Sequence, residues 1–130
     1  MTRRGRKDVR RRGLMLVEAA LVFEVLLLVT LAALQYGWAF LNWQRIMNAA
    51  RHGARVAAAW NATDADGETE IGTLVGDMAG VNGDVVTAGD LVTATVTVPR
   101  ATVQLIPWNL LPLPAELRAV VTMAKELGAS

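Results

Sequence analysis

The sequence contains no cysteine and only one histidine, His52. The lack of thiols excludes a disulfide framework and a thiolate metal site, and it gives no indication of the redox compartment. A lone imidazole with no Asp, Glu or Cys beside it is a poor candidate for a metal ligand or a catalytic base. We therefore predict no catalytic residue, no metal site and no cofactor.

The chain also has little room for an enzyme-like cleft. Residues 61–130 follow a long apolar segment, and a body of that size buries a thin core. The acids Asp64, Asp66, Glu68 and Glu70 look like solvated surface or the start of a helix, and a casual calcium site is the weaker alternative because the full EF-hand spacing is absent. We predict that the protein is not an enzyme and has no small-molecule substrate.

Positive charge is scarce outside the N-terminus. Residues 1–12 hold seven of the thirteen Lys and Arg residues and one acid, Asp8, whereas six basic and eleven acidic residues follow from Leu14 onward. A basic arm of this kind binds nucleic acid or marks the cytoplasmic side of a membrane helix. Because the basic block stops where an apolar run begins, we predict a membrane protein with a cytoplasmic N-terminus and no nucleic-acid partner.

The apolar run is long enough to cross a bilayer. Residues 25–44 carry no charge, and with residues 14–24 the segment exceeds the ~20 residues that a spanning helix needs. Tyr36, Trp38 and Trp43 lie at its far end, as aromatic residues do at the headgroup boundary. We predict a transmembrane helix that continues out of the bilayer, over residues 14–60.

The extension of this helix carries Arg51 and Arg55 at i, i+4 spacing, so their side chains share one face. That face could contact acids of another subunit, lipid headgroups, or water alone. We predict a subunit contact.

Residues 61–130 are expected to form a small α+β domain. Ile71, Leu74, Val75 and Met78 recur at helical spacing, which predicts a second helix over residues 66–79 after a turn. Residues 91–98 alternate Val or Ala with Thr and predict a half-buried strand that Pro99 closes or interrupts. Residues 85–87 add a short strand.

The end of the chain is less regular. Residues 115–126 alternate as a strand does, with a helix as the rival interpretation because several of their residues favour one. The apolar loop 106–114 contains three prolines, and it either caps the core or presents Trp108 to a partner. The predicted fold is α+β: a long N-terminal helix, one further helix and a two- to three-stranded antiparallel sheet.

Two glutamates, Glu18 and Glu24, lie in the apolar segment. A carboxylate at the centre of a membrane helix costs about 2.5 to 3.5 kcal/mol, so each should have a partner or a function. If the chain were cut between Gly13 and Leu14, the new ammonium would lie one helical turn from Glu18, about 6 Å along the axis. Glu24 is turned about 120° from Glu18, so one cation does not serve both.

A basic leader ending in Gly13, before an apolar helix whose fifth residue is Glu18, resembles the processing signal of type IV prepilins. Residues 17–40, VEAALVFEVLLLVTLAALQYGWAF, and 48–59, NAARHGARVAAA, are similar to the TadE/TadG-like family. Its usual pattern has a Val-Glu-Phe-Ala-Leu opening, a Leu-rich run, an aromatic-Gly pair and an Ala-Ala-Arg-x-Gly-Ala-Arg stretch. The later TVTVP, Pro-rich and TMAKE segments resemble it more weakly.

The resemblance implies a minor pilin or pseudopilin of the Tad (Flp, tight adherence) apparatus. Residues 1–13 would be a leader that a prepilin peptidase removes. The mature helix would assemble with other pilin-like subunits at the assembly platform, and residues 61–130 would lie outside the bacterial inner membrane or join an extracellular pilus. Ala19 and Glu24 depart from the family pattern, which usually has an aromatic residue and often a proline there.

Other interpretations remain open. The chain could be an uncleaved single-pass signal-anchored protein with a small periplasmic interaction domain. It could also be a secretory protein cleaved near Ala32, although its apolar region is too long for that and holds two acids. The Arg11-Arg12 pair is weakly similar to a twin-arginine signal.

Overall fold

The computed structural model describes residues 5–106 and 112–126, with side chains from residue 13 onward. In chain order the elements are α1 (Gly5–Ala58), α2 (Asp64–Val75), β1 (Asn82–Ala88), β2 (Leu91–Pro99), α3 (Arg100–Val103) and β3 (Glu116–Ala124). The predicted α+β arrangement is confirmed. The chain divides into two compact units, Met1–Tyr36 and Gly37–Ser130.

The first unit contains the apolar part of α1. No proline occurs in Gly5–Ala58, and the abundance of Leu and Ala favours a continuous helix. Every side chain from Leu14 to Thr30 is exposed. Burial within the described part of the chain therefore does not account for the apolar character of this stretch.

Helix α2 begins two residues earlier than predicted because of a capping box. The Asp66 amide donates to the Thr63 hydroxyl at 3.3 Å, and the Thr63 amide donates to the Asp66 carboxylate at 2.8 Å. The segment NATDADG therefore includes a helix start as well as a turn. The helix ends at Val75, before Gly76, and not at Ala79 as predicted.

The three strands form an antiparallel sheet in the order β1-β2-β3, in which β2 pairs with both neighbours. Residues 115–126 contain a strand and not a helix, since Val120 pairs with Thr95 across the sheet. The short strand expected at residues 85–87 extends over Asn82–Ala88. Gly89, with φ 61°, starts the two-residue turn between β1 and β2, as the first position of a type II′ hairpin requires.

One face of the sheet packs into the core of the second unit. Alternate residues of β2 are fully buried there: Val92, Ala94, Val96 and Val98. The same core also contains buried apolar residues of α1, most of them alanines, and of α2. These are chiefly Ile46, Ala49, Ala50, Ala54, Ala57, Ile71 and Val75. Small residues on α1 let the neighbouring elements come close.

One residue of the predicted α2 stripe is exposed, and another lies beyond the end of the helix. Leu74 is 41% exposed, and Met78 is buried although it lies beyond the end of the helix. The Met78 amide donates to the Val75 carbonyl at 2.9 Å, so a turn after the helix carries this side chain into the core. Helical spacing therefore predicts the burial of Met78 correctly although the helix has ended, whereas Leu74 is exposed within the helix.

The edge strand β1 is covered by carboxylates of α2. The Thr87 amide donates to Asp64 at 3.1 Å, and the Thr87 hydroxyl also donates to Asp64. The Val85 amide donates to Glu68 at 3.4 Å. These contacts satisfy edge amides that would otherwise be open to another strand.

Candidate assembly surface

The apolar stretch of α1 presents a continuous hydrophobic surface. Its Leu, Val, Met and Phe side chains between residues 14 and 29 are 44 to 73% exposed. In the described part of the chain, the helix Gly13–Ala58 is the one long and apolar enough to cross a membrane. A surface of this kind requires lipid or another protein against it.

Glu18 lies in a shallow groove along one side of this stretch. The other groove residues are Met15, Ala19, Val22, Phe23 and Leu26. Their spacing follows one face of the helix, and Ala19 contributes only a methyl group beside the carboxylate. The groove therefore places one acid on an apolar surface that a partner helix could cover.

Glu24 is exposed and does not line that groove. Among the residues whose side chains are described, neither Glu18 nor Glu24 has a hydrogen-bonding or ion-pair partner. The two acids therefore lie on different sides of the helix, about 120° apart around an ideal helix axis.

Gly13 lies inside α1 and not at its end. A Cβ added to Gly13 would meet nothing within 4 Å, so its surroundings are open. Glycine weakens a helix by roughly 0.5 to 1 kcal/mol relative to Ala, which makes this position easier to unwind than its neighbours.

The second unit carries the basic end of α1. Arg51 and Arg55 are both exposed, and neither has a hydrogen-bonding or ion-pair partner among the described side chains. Arg51 also borders a groove formed with Trp43, Gln44, Met47 and Asn48. The structure thus places both predicted arginines on accessible surface, whereas Trp108 lies outside the described residues.

Arg45 has a different role from the other two arginines. Its Nη2 lies 2.9 Å from each carboxylate oxygen of Asp77, which connects α1 to the turn after α2. The hydrogen bond from Arg45 holds the pKa of Asp77 below its usual value. The sequence gives no local signal for this pair, because its residues are 32 positions apart.

The acids around the start of α2 have structural partners. Hydrogen bonds from the Thr87 hydroxyl and amide lower the pKa of Asp64, and those from the Thr63 amide and hydroxyl lower the pKa of Asp66. In the described ranges, no group of three or more His, Cys, Asp or Glu side chains could hold a metal ion. The hydrogen bonds at Asp64 and Asp66 give these acids a part in the fold.

A family model described as TadE-like protein matches residues 13–55. The resemblance to the TadE/TadG-like family is confirmed over this region, which covers the apolar helix and its basic end. Searches of curated proteins and of solved structures found no match. The apolar helix near the N-terminus fits a single-pass inner-membrane protein.

Proposed function

We propose that the protein is a minor pilin or pseudopilin that contributes to the assembly, initiation or anchoring of a Tad (Flp-type) pilus. The observation that carries this proposal is the exposed apolar helix with Glu18 in its groove, inside the region that matches the TadE-like model. Such a helix is stable in lipid and can later pack against other helices.

The proposed orientation places the basic residues 1–12 in the cytoplasm and the α+β domain, residues 61–130, in the periplasm. A prepilin peptidase cuts after Gly13 on the cytoplasmic side and frees the amine of Leu14. That ammonium lies about 6 Å along the helix axis from Glu18. The two charges then offset each other, either within one subunit or between neighbouring subunits.

Assembly in this proposal is mechanical and involves no covalent step after processing. Helices leave the lipid and join a bundle, in which the buried acids and their partners fix the axial register. Glu24 contacts a basic or amino group of a neighbouring subunit. Arg51 and Arg55 contact acids of another subunit, and Trp108 provides an apolar anchor.

Mass spectrometry of the protein in the membrane fraction tests the processing step. We expect a mature chain that begins at Leu14, and we expect a Gly13→Leu variant to keep residues 1–13. Gly37→Leu is a matched control, because a Cβ at either glycine meets nothing within 4 Å. An unprocessed wild-type chain in cells that make normal pili would contradict the proposal and favour the uncleaved signal-anchored alternative.

Pilus output tests the role of Glu24. A Glu24→Leu variant should insert in the membrane and be processed normally, yet yield fewer pili, since the neighbouring cation would lose its partner. A Glu24→Gln variant has nearly the same size and can still form hydrogen bonds, but it carries no charge. Comparing its pilus output with that of Glu24→Leu shows whether the contact needs the charge or only a hydrogen bond. Normal pilus output from Glu24→Leu would show that Glu24 has no partner subunit.

A further inference from the structure

The groove at the basic end of α1 has the chemistry of a phosphate site. It has a volume of about 260 Å³ and is lined by Trp43, Gln44, Met47, Asn48 and Arg51. A single water needs only about 10 to 15 Å³ of such space, so the groove can hold a group of several heavy atoms. Two side-chain amides and one guanidinium supply donors that suit phosphate oxygens.

Charge also favours an anion at this site. Arg51 and the neighbouring Arg55 have no carboxylate partner among the described side chains, in contrast to Arg45, which is held by Asp77. None of the described residues that line the groove is acidic. A ligand with a net negative charge is therefore preferred over one that also carries an ammonium group.

The location of the groove indicates the source of the phosphate. Trp43 is one of the aromatic residues at the far end of the apolar segment, where such rings prefer the headgroup boundary. Arg51 follows eight residues later, about 12 Å along the axis at 1.5 Å per residue. Helical side chains tilt toward the N-terminus, so the Arg51 side chain extends back along α1 toward Trp43 and the headgroup region.

We propose that, before the subunit joins a fibre, this groove binds the phosphate of an anionic phospholipid in the outer leaflet of the inner membrane. Arg51 pairs with the phosphate, Gln44 and Asn48 donate hydrogen bonds to it, and Arg55 adds positive charge nearby. This inference rests on the proposed membrane orientation. When the subunit leaves the bilayer, the lipid dissociates and frees both arginines for contacts with another subunit.

Native mass spectrometry of the full-length chain, released from nanodiscs, tests the site. One set of nanodiscs contains phosphatidylcholine and phosphatidylglycerol, and a second set contains phosphatidylcholine and the same share of phosphatidylethanolamine. We expect phosphatidylglycerol to be retained preferentially, and we expect Arg51→Gln to reduce its retention about fivefold, since one arginine near a membrane surface contributes about that factor. Arg118→Gln is the matched control, because it removes an exposed arginine from β3.

Free inorganic phosphate at millimolar concentration separates the two sources of the ligand. Retention of phosphatidylglycerol in its presence supports a lipid site, whereas displacement shows a general phosphate site and overturns the lipid assignment. Equal retention of phosphatidylglycerol and phosphatidylethanolamine also overturns the lipid assignment. So does an equal loss of phosphatidylglycerol in Arg51→Gln and Arg118→Gln. The Leu14 terminus is measured on the same wild-type protein in cells, so failed lipid binding with normal processing leaves the proposed function intact.

Discussion

A methyl group at position 53 should destabilise the second unit, although replacing glycine by alanine usually strengthens a helix. Gly53 of α1 lies against α2, and a Cβ there would be 2.5 Å from Cγ1 and 2.7 Å from Cδ1 of Ile71. It would also be 2.9 Å from the carbonyl oxygen of Gly67. Carbon atoms normally pack at about 3.5 to 4.0 Å, so both a buried side chain and a backbone group would have to move.

The magnitude follows from two opposing effects. Replacing Gly by Ala inside a helix gains about 1 kcal/mol, and overpacking a filled core costs about 1 to 3 kcal/mol. Because Ile71 is only 1% exposed and the Gly67 carbonyl belongs to the backbone, we expect a cost in the upper part of that range, about 2 to 3 kcal/mol. The net loss for Gly53→Ala should be roughly 1 to 2 kcal/mol of unfolding free energy.

Gly72→Ala is the matched control. Gly72 lies in α2, it is exposed, and a Cβ there would meet nothing within 4 Å. The same chemical change should therefore stabilise the domain by roughly 0.5 to 1 kcal/mol. The two substitutions are predicted to have opposite signs.

Hydrogen exchange of the β2 amides, measured on the full chain in lipid nanodiscs, reports the opening of the domain. Since about 1.4 kcal/mol corresponds to a factor of ten, Gly53→Ala should speed exchange about tenfold, whereas Gly72→Ala should slow it a few-fold. If Gly53→Ala slowed exchange as much as its control, the close approach of α1 to α2 would be refuted.

Three further predictions concern the same domain. Ile71→Ala should lower the unfolding free energy by about 2 to 5 kcal/mol in thermal or denaturant unfolding, and a smaller loss would mean that its site collapses easily. Asp64 has a pKa below its unfolded value, so its stabilisation is complete above about pH 4 and is lost as pH falls through the folded pKa. Asp64→Asn should therefore reduce acid destabilisation in an unfolding series, and an unchanged pH profile would contradict the bond to Thr87. Arg45→Gln should destabilise the domain at low salt and much less at about 1 M salt, because the bond to Asp77 is exposed to screening; a salt-independent loss would argue against it.

The regular elements could be predicted because their signals are local. The alternation in residues 91–98 defined β2 almost to its ends, and the uncharged run 25–44 indicated the long helix. The four-residue helix α3 was missed because it carries no periodic pattern of its own. Helix α2 begins before the predicted residue 66, because Thr63 and Asp66 form a capping box within a segment whose composition is typical of a turn.

The contacts that hold the elements together could not be predicted from one sequence. Nothing local connects Asp64 with Thr87, or Gly53 with Gly67, since these pairs meet only after the chain has folded back. The alanines of residues 49–58 favour a helix, but they do not predict that its small face packs in the core. The exposure of Arg51 and Arg55 follows from that packing, because they lie on the remaining face.

In the proposed assembly, Glu18 and Glu24 have a physical reason to select the arrangement of the subunits. In lipid, a leucine gains little by moving to another helix, since the acyl chains are as apolar as its new neighbours. The exposed residues 14–30 can therefore hold the protein in a membrane without selecting one arrangement of subunits. Selection must come from close packing and from groups that lipid serves poorly, and a carboxylate is the most costly of these. Two acids at different angles on one helix restrict both its axial position and its rotation against a partner, which a single acid could not do.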